Sequence, residues 1–149
     1  MESTAGAAER LTDDRANPDV METFTLETDE RLTTAEITDT VASAVPEGAS
    51  GLLTVFVGHT TASVCLQEDE HRLRRDVEAF LEDVVADEGW THDRLDGNAD
   101  SHLRAMLMGA SETIPVDDGD LQLGTWQSVL FVECDGPRKR EFHVQFVEA

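Results

Sequence analysis

The chain has 149 residues, 40% of them hydrophobic, which suits one domain with its own core and leaves no room for a second. Its 32 acidic residues against 11 basic ones give a formal net charge of -21, which excludes nucleic acid and anionic membrane surfaces as partners, because both are bound by neutralising phosphate with lysine and arginine. No apolar run approaches the roughly 18 residues of a membrane span, and the N-terminus lacks a basic-then-apolar signal, so a cytoplasmic protein is expected.

The acidity is spread along the whole chain, and Lys139 is the single lysine. That pattern fits adaptation to a very salty cytoplasm, where screening relieves self-repulsion; an ordinary acidic protein is the alternative. Cys65 and Cys134 form no CxxC pair and fall in strand-like segments, which predicts buried free thiols rather than a disulfide or a metal pair.

In chain order, residues 1–20 lack a sustained apolar period and read as a disordered extension, with Met21 an alternative start and 21–149 the domain. Residues 22–28 (ETFTLET) read as a strand. Residues 33–45 place Ile37, Val41 and Ala44 at helical spacing before Pro46, predicting a short helix. Residues 51–58 contain LLTVFV, apolar on both faces, as in a strand central to a sheet. After the break at Gly58, residues 63–66 continue that strand or form its hairpin partner. Over 70–87, Leu73, Val77, Phe80, Leu81, Val84 and Val85 recur at helical intervals, and Gly89 stands where a left-handed C-cap is wanted. A second helix is predicted over 99–108, with Asn98 or Asp100 as N-cap and Gly109 beyond its end. Residues 112–116, 121–134 and 141–147 read as strands divided by the turns DDGD and DGP. Consecutive strands with inserted helices predict a single compact α+β domain on a mainly antiparallel sheet with two or three helices.

Several residues carry chemistry. His59 follows the apolar strand and precedes Thr60, Thr61 and Ser63, so it is either a hydrogen-bonded core histidine or part of a site at the strand end. His102 shares its predicted helix stripe with Ala99, Leu103 and Met106, which points it inward, and with His92 and Glu68 it makes a candidate His/Glu constellation. No HxH, HExxH or CxxC spacing accompanies them. Glu68 either complements a helix N-terminus or serves as a metal ligand or general base. His71 and His143 read as surface or sheet-face residues. Arg138, Lys139 and Arg140 put three of the 11 basic residues in consecutive positions after the Gly136-Pro137 turn. Arg138 and Arg140 project to one side, suited to phosphate or to salt bridges with the many carboxylates, while Lys139 points the other way. Trp126 is either core or a recognition ring, with Gly124 before it allowing close backbone approach. Between Gln127 and Arg138 an extended chain would span roughly 35 Å, so the two ends meet on one small ligand only if the chain bends back at 135–137 or a second subunit supplies one end.

Together HTTAS at 59–63, Glu68, His92, NADSHL at 98–103, LGTWQ at 123–127 and DGPRKR at 135–140 make the chain resemble the YjbQ family, also called uncharacterised protein family 0047 or the secondary thiamine-phosphate synthase family. The resemblance covers about residues 21–149. It implies a compact α+β fold assembled as a homotrimer, with histidines and an acid gathered in a pocket around a divalent metal ion, zinc or magnesium. The activity it implies joins an aminopyrimidine methyl pyrophosphate to a thiazole phosphate and expels pyrophosphate. On that reading Glu68 and His59 act as catalytic groups, and His59, His92 and His102 as metal ligands. Trp126, Gln127, Arg138 and Arg140 would bind substrate, a small phosphorylated metabolite. One departure stands out: the family commonly has Asn after that Glu, where this chain has Asp69, an acceptor in place of a donor. A metal-dependent hydrolase of a small phosphorylated metabolite and a non-catalytic metabolite-binding trimer are the competing readings.

Overall fold

Alternation turns Phe24 and Leu26 of strand β2 (Glu22–Glu27) to one side, and the same period recurs in β4 (Gly51–Phe56), β6 (Ser111–Asp117) and β9 (Lys139–Glu148). With the two-residue strands β1 (Glu9–Arg10) and β7 (Asp120–Leu121), they form a six-stranded antiparallel sheet in the order β1-β2-β9-β4-β6-β7. A second antiparallel sheet has the order β3-β8-β5, from β3 (Thr33–Glu36), β8 (Ser128–Glu133) and β5 (Ala62–Gln67). Helices α1 (Thr38–Ala42), α2 (His71–Val84) and α3 (Ala99–Met108) and a 3₁₀ turn (Thr91–Arg94) complete the elements. This computed structural model describes residues 6–11 and 21–149.

The molecule is layered. Leu53, Val55, Phe142 and Val144 of the large sheet meet Val64, Val129 and Phe131 of the small one in the main core. Leu81 of α2 and Ala105 of α3 cover the other side of the small sheet at Val132 and Cys134. The small sheet is therefore buried on both faces, which explains why Val129, Leu130, Phe131 and Val132 of β8 form an unbroken apolar run. The large sheet is buried on one face only. Its outer face presents Leu52, Thr54 and Phe56 of β4, and the strand register sets Pro115 of β6 and Val147 of β9 on either side of Leu52.

Several elements depart from the expectations, each for a physical reason. Residues 33–36 are a strand rather than the start of a helix, because Thr33, Thr34 and Ala35 pair with Glu133, Val132 and Phe131, and β-branched threonines fit a pleated surface. The helix begins only at Thr38. Residues 63–66 neither continue nor pair with β4; they belong to β5 in the other sheet. The predicted strand over 121–134 is broken at 122–127, where the Gln127 side chain accepts from Gly124 N–H at 2.8 Å and closes a turn. Gly89 has φ of +95° but lies beyond the end of α2. The last carbonyls of α2 are met instead by buried Arg104, whose Nε donates to Leu81 O at 2.9 Å and Nη2 to Val85 O at 2.8 Å. In α3 the buried residues are Ala99, Asp100, Ser101, Arg104 and Ala105, whereas Met106, expected inward, is exposed. Polar residues turn inward there because Asp100 is gripped by Arg31 at 2.9 Å and by Arg104 at 2.6 Å. Part of the extension is also ordered: Gly6 N–H donates to Glu27 O, and Arg10 reaches Glu22 at 3.0 Å across the β1-β2 pair. Residues 1–5 and 12–20 of the predicted extension lie outside the described residues.

Both cysteines are free, and burial pushes the Cys65 thiol up to about 11 and Cys134 up to about 12. A thiol-disulfide reagent at mildly alkaline pH is accordingly expected to leave Cys134 untouched in the native protein and to titrate both thiols in denaturant. Rapid native labelling of Cys134 would contradict its burial.

Candidate functional site

The site residues divide between the two ends of β5 and β8. The register pairs Ala62 with Glu133 at one end and Gln67 with Ser128 at the other, so the ends lie roughly 17 Å apart at about 3.4 Å per residue.

At the Glu133 end, the 3₁₀ turn and the start of α3 bring His92 and His102 together, with ring centroids 5.0 Å apart and planes nearly perpendicular. Asn98 precedes α3 and lies one helical turn from His102, so the two share a face. Its amide donates to Asp135 at 3.0 Å, and the same carboxylate oxygen accepts from Arg138 Nη2 at 2.9 Å. Arg138 also donates from Nε to Asp135 O at 2.8 Å, which holds its exposed guanidinium in place. Two buried polar atoms here have no hydrogen-bond partner, His92 Nε2 and Asn98 Oδ1. The Asp96 carboxylate approaches His92 Nε2 only to 3.8 Å, within ion-pair range but too far for a hydrogen bond. Gly136 makes the turn feasible, since a Cβ there would collide with the carbonyl of Glu30.

His59 lies at the same end but is engaged otherwise. Its Nε2 accepts the backbone N–H of Glu141 at 3.1 Å, and burial together with the Arg140 charge holds its pKa below the ordinary value. A neutral imidazole accepting at Nε2 keeps its proton on Nδ1. Arg140, expected to bind phosphate, is buried and committed to the interior. Glu133 accepts from its Nε at 2.7 Å and also from its Nη2, which reaches Thr61 Oγ1 at 2.9 Å as well. Glu133 is further bonded by Thr28 Oγ1 at 2.9 Å and the Asp135 N–H at 2.9 Å, so the pair is a closed internal network. Arg138 and Arg140 thus part company: one faces solvent, the other braces the fold.

At the opposite end, Glu68 follows β5, with its N–H donating to Gln67 Oε1 at 2.9 Å. The cap of α2 is Glu70, which accepts Leu73 N–H at 2.8 Å, so the bland capping role considered for Glu68 belongs to its neighbour. Trp126 stands 72% exposed on the 124–127 turn and is not core. Within one chain, Glu68, Trp126 and Gln127 do not meet the histidines. The bend at 135–137 does return the chain, but into the other sheet as β9, and it leaves Arg138 at the Glu133 end, bonded to Asp135.

A divalent ion fits this chain only in part. His92 offers an orphaned nitrogen beside His102, yet among the described residues no group of three His, Cys, Asp or Glu side chains could hold a metal, and a zinc site takes three or four protein ligands. The role of metal ligand expected for His59 is also opposed by its backbone hydrogen bond.

Sequence reasoning passed over Asp135, Asn98 as more than a cap, and the Glu133 and Asp100 carboxylates. The Asn98/His102 spacing of one helical turn was a usable signal. The pairing of Glu133 with Arg140 was not, because it depends on which face of each strand turns inward.

No helix among the described residues is long and apolar enough to cross a membrane. The UPF0047 protein YjbQ-like family matches residues 22–149. A UPF0047 protein of Archaeoglobus fulgidus is 46% identical over 123 residues, 82% of this chain and 97% of its own length. One of Methanothermobacter thermautotrophicus is 43% identical over 131 residues, 83% of this chain and 92% of its own. Among solved structures, a hypothetical protein from Aeropyrum pernix K1 superposes with a TM-score of 0.84 at 40% identity, covering 87% of this chain and 99% of that one. With its fold, its ordered motifs and its relatives in agreement, the chain belongs to the YjbQ/UPF0047 family.

Proposed function

We propose that the chain is a cytoplasmic, homotrimeric transferase of the thiamine-phosphate synthase kind, coupling a pyrimidine pyrophosphate to a thiazole phosphate as a secondary activity, in a protein adapted to high salt. The observation that carries the reading is the Asn98–Asp135–Arg138 chain beside the His92/His102 pair, with two buried polar atoms left unpartnered. An unpaired buried polar atom costs free energy unless a ligand meets it.

In the reaction the thiazole nitrogen attacks the methylene carbon, a carbon–nitrogen bond forms, and the carbon–oxygen bond to pyrophosphate breaks with its electron pair leaving on oxygen. No proton needs to move, so what the protein must do is stabilise the leaving group and align the rings. Arg138 would meet the leaving group; its exposed guanidinium, oriented by Asp135, supports that role. Asn98 and the histidines offer hydrogen bonds for orientation. A divalent ion, if bound, would neutralise pyrophosphate charge, and no step depends on it here.

Purified protein supplied with both substrates and divalent metal is expected to form thiamine phosphate. Arg138→Ala should weaken binding of inorganic pyrophosphate by about 1 to 3 kcal/mol, as for a charged hydrogen bond, with the fold unchanged. Phosphate release from either substrate alone, with no coupled product, would replace the transferase by a hydrolase.

A further inference from the structure

We propose that Asn98 is the specificity-determining residue of the His92/His102 site, and that it selects a ligand by an N–H donor: an amino-substituted heterocycle is taken and its oxo counterpart refused. The class of ring rests on the function proposed above; the choice between amino and oxo rests on this chain's own hydrogen bonds. Asn98 Nδ2 donates to Asp135 Oδ2 at 3.0 Å, and Arg138 Nη2 donates to the same oxygen at 2.9 Å. A carboxylate oxygen held by a guanidinium accepts and has no proton to give, so the amide turns its NH2 to Asp135 and its carbonyl oxygen away. That oxygen, Oδ1, is buried and has no hydrogen-bond partner among the described residues. A buried acceptor whose orientation is pinned requires a donor from its ligand.

The neighbouring unpartnered atom, His92 Nε2, imposes no such choice. A neutral imidazole carries its proton on either nitrogen, so Nε2 can donate to one ligand and accept from another. The Asp96 carboxylate, 3.8 Å from it, is beyond hydrogen-bond reach and does not fix the tautomer. Turning the Asn98 amide over, by contrast, would lose the bond to Asp135 and set two acceptor oxygens against each other. Of the two unpartnered atoms one adapts and one is fixed, and the fixed one decides.

An aminopyrimidine offers an NH2 donor beside a ring-nitrogen acceptor, whereas its oxo counterpart offers a carbonyl acceptor beside a ring N–H. The carbonyl would meet Asn98 Oδ1 acceptor to acceptor, at an atom closed to water. The spacing suits a ligand that also carries phosphate. Asn98 Nδ2 and Arg138 Nη2, bonded to one oxygen, are at most about 6 Å apart, so the amide that reads the amine and the guanidinium that meets the anion lie within the length of one small molecule. The second bond of Arg138, from Nε to Asp135 O at 2.8 Å, keeps that spacing.

Calorimetry on the full chain tests the proposal, with three probes: the aminopyrimidine methyl monophosphate, which lacks the pyrophosphate leaving group, its oxo counterpart, and inorganic pyrophosphate. Wild type should bind the oxo compound about fiftyfold more weakly than the amino compound, the loss expected where a buried acceptor is left without a donor. Asn98→Leu, close to asparagine in size, and Asn98→Ser should both weaken the amino compound until the two affinities nearly match. Both should keep native circular dichroism and bind pyrophosphate as before, through Arg138. Equal affinities in wild type overturn the proposal, as does a wild type that does not bind the amino compound or a preference that survives both substitutions. Loss of pyrophosphate binding in both variants also overturns it, by making Asn98 a structural residue. A wild type that discriminates yet forms no thiamine phosphate when thiazole phosphate is added removes the transferase and keeps the role of Asn98; one that forms it while binding amino and oxo compounds alike keeps the transferase and removes that role.

Discussion

Arg140→Ala is expected to destabilise the protein by about 3 to 5 kcal/mol, read as a fall in the urea midpoint, because it strands the fully buried Glu133 carboxylate without its counter-charge. Thr28 and the Asp135 N–H continue to bond Glu133, but neither carries a charge. Glu133→Ala, which leaves the guanidinium unpaired instead, should cost a similar amount. The double substitution should cost clearly less than the sum of the two, since removing both ions removes the desolvation problem. Arg138→Ala is the contrast: its ion pair with Asp135 is half exposed, and such pairs contribute at most about 1 kcal/mol. Equal losses for Arg138→Ala and Arg140→Ala would refute the assignment of one to solvent and the other to the interior.

Asp100→Asn is expected to cost about 3 kcal/mol at neutral pH, since it leaves Arg104 inside the protein without its buried carboxylate. Its signature is in acid. Burial by itself would raise the Asp100 carboxyl, but the hydrogen bond from Arg31 and the charges of Arg31 and Arg104 outweigh it and hold the carboxyl below its ordinary value. A carboxyl depressed on folding contributes stability above its unfolded pKa of about 3.9, and that contribution is lost as pH falls through the folded value. The wild type should therefore lose stability below about pH 4 more steeply than Asp100→Asn. Parallel curves of urea midpoint against pH would show that Asp100 is not the group being titrated.

These two carboxylates also mark where local pattern stops being informative. Helix α3 was legible at Ala99–Met108 with its following Gly109, because a breaking residue acts locally; the cap expected from Asn98 or Asp100 is not made, and Asp93 accepts Ala99 N–H at 3.2 Å instead. Its orientation was not. Apolar spacing turned Leu103 and Met106 inward, and the structure turns Asp100 and Arg104 inward instead, because Arg31, 69 residues away along the chain, completes a charge network that no local pattern contains. The first helix was misplaced for a related reason: Thr33 to Ala35 carry a weak local preference, and pairing with β8 decides them.

For the candidate site, the division runs between residue identity and residue partnership. His92, His102 and Arg138 were picked out by type and spacing, Asn98 only as a cap, and the fold gathers all four at one end of the small sheet. Arg140 could not be told from Arg138, although the two are separated by one residue. On β9, alternation sends Arg140 inward to Glu133, while Arg138 lies before the strand, in the turn.

By itself the sequence determined the α+β class, the antiparallel pairing, the family and the acidic surface, because these follow from composition, period-two and helical patterning, and ordered motifs. Tertiary structure alone decided which charges are spent inside, which apolar face of β4 is left bare, and that Trp126 and Gln127 lie a strand's length from the histidines. The physical reason is one: burial and pairing are properties of what comes from elsewhere in the chain to cover a residue, and local pattern states only what a residue is able to bury.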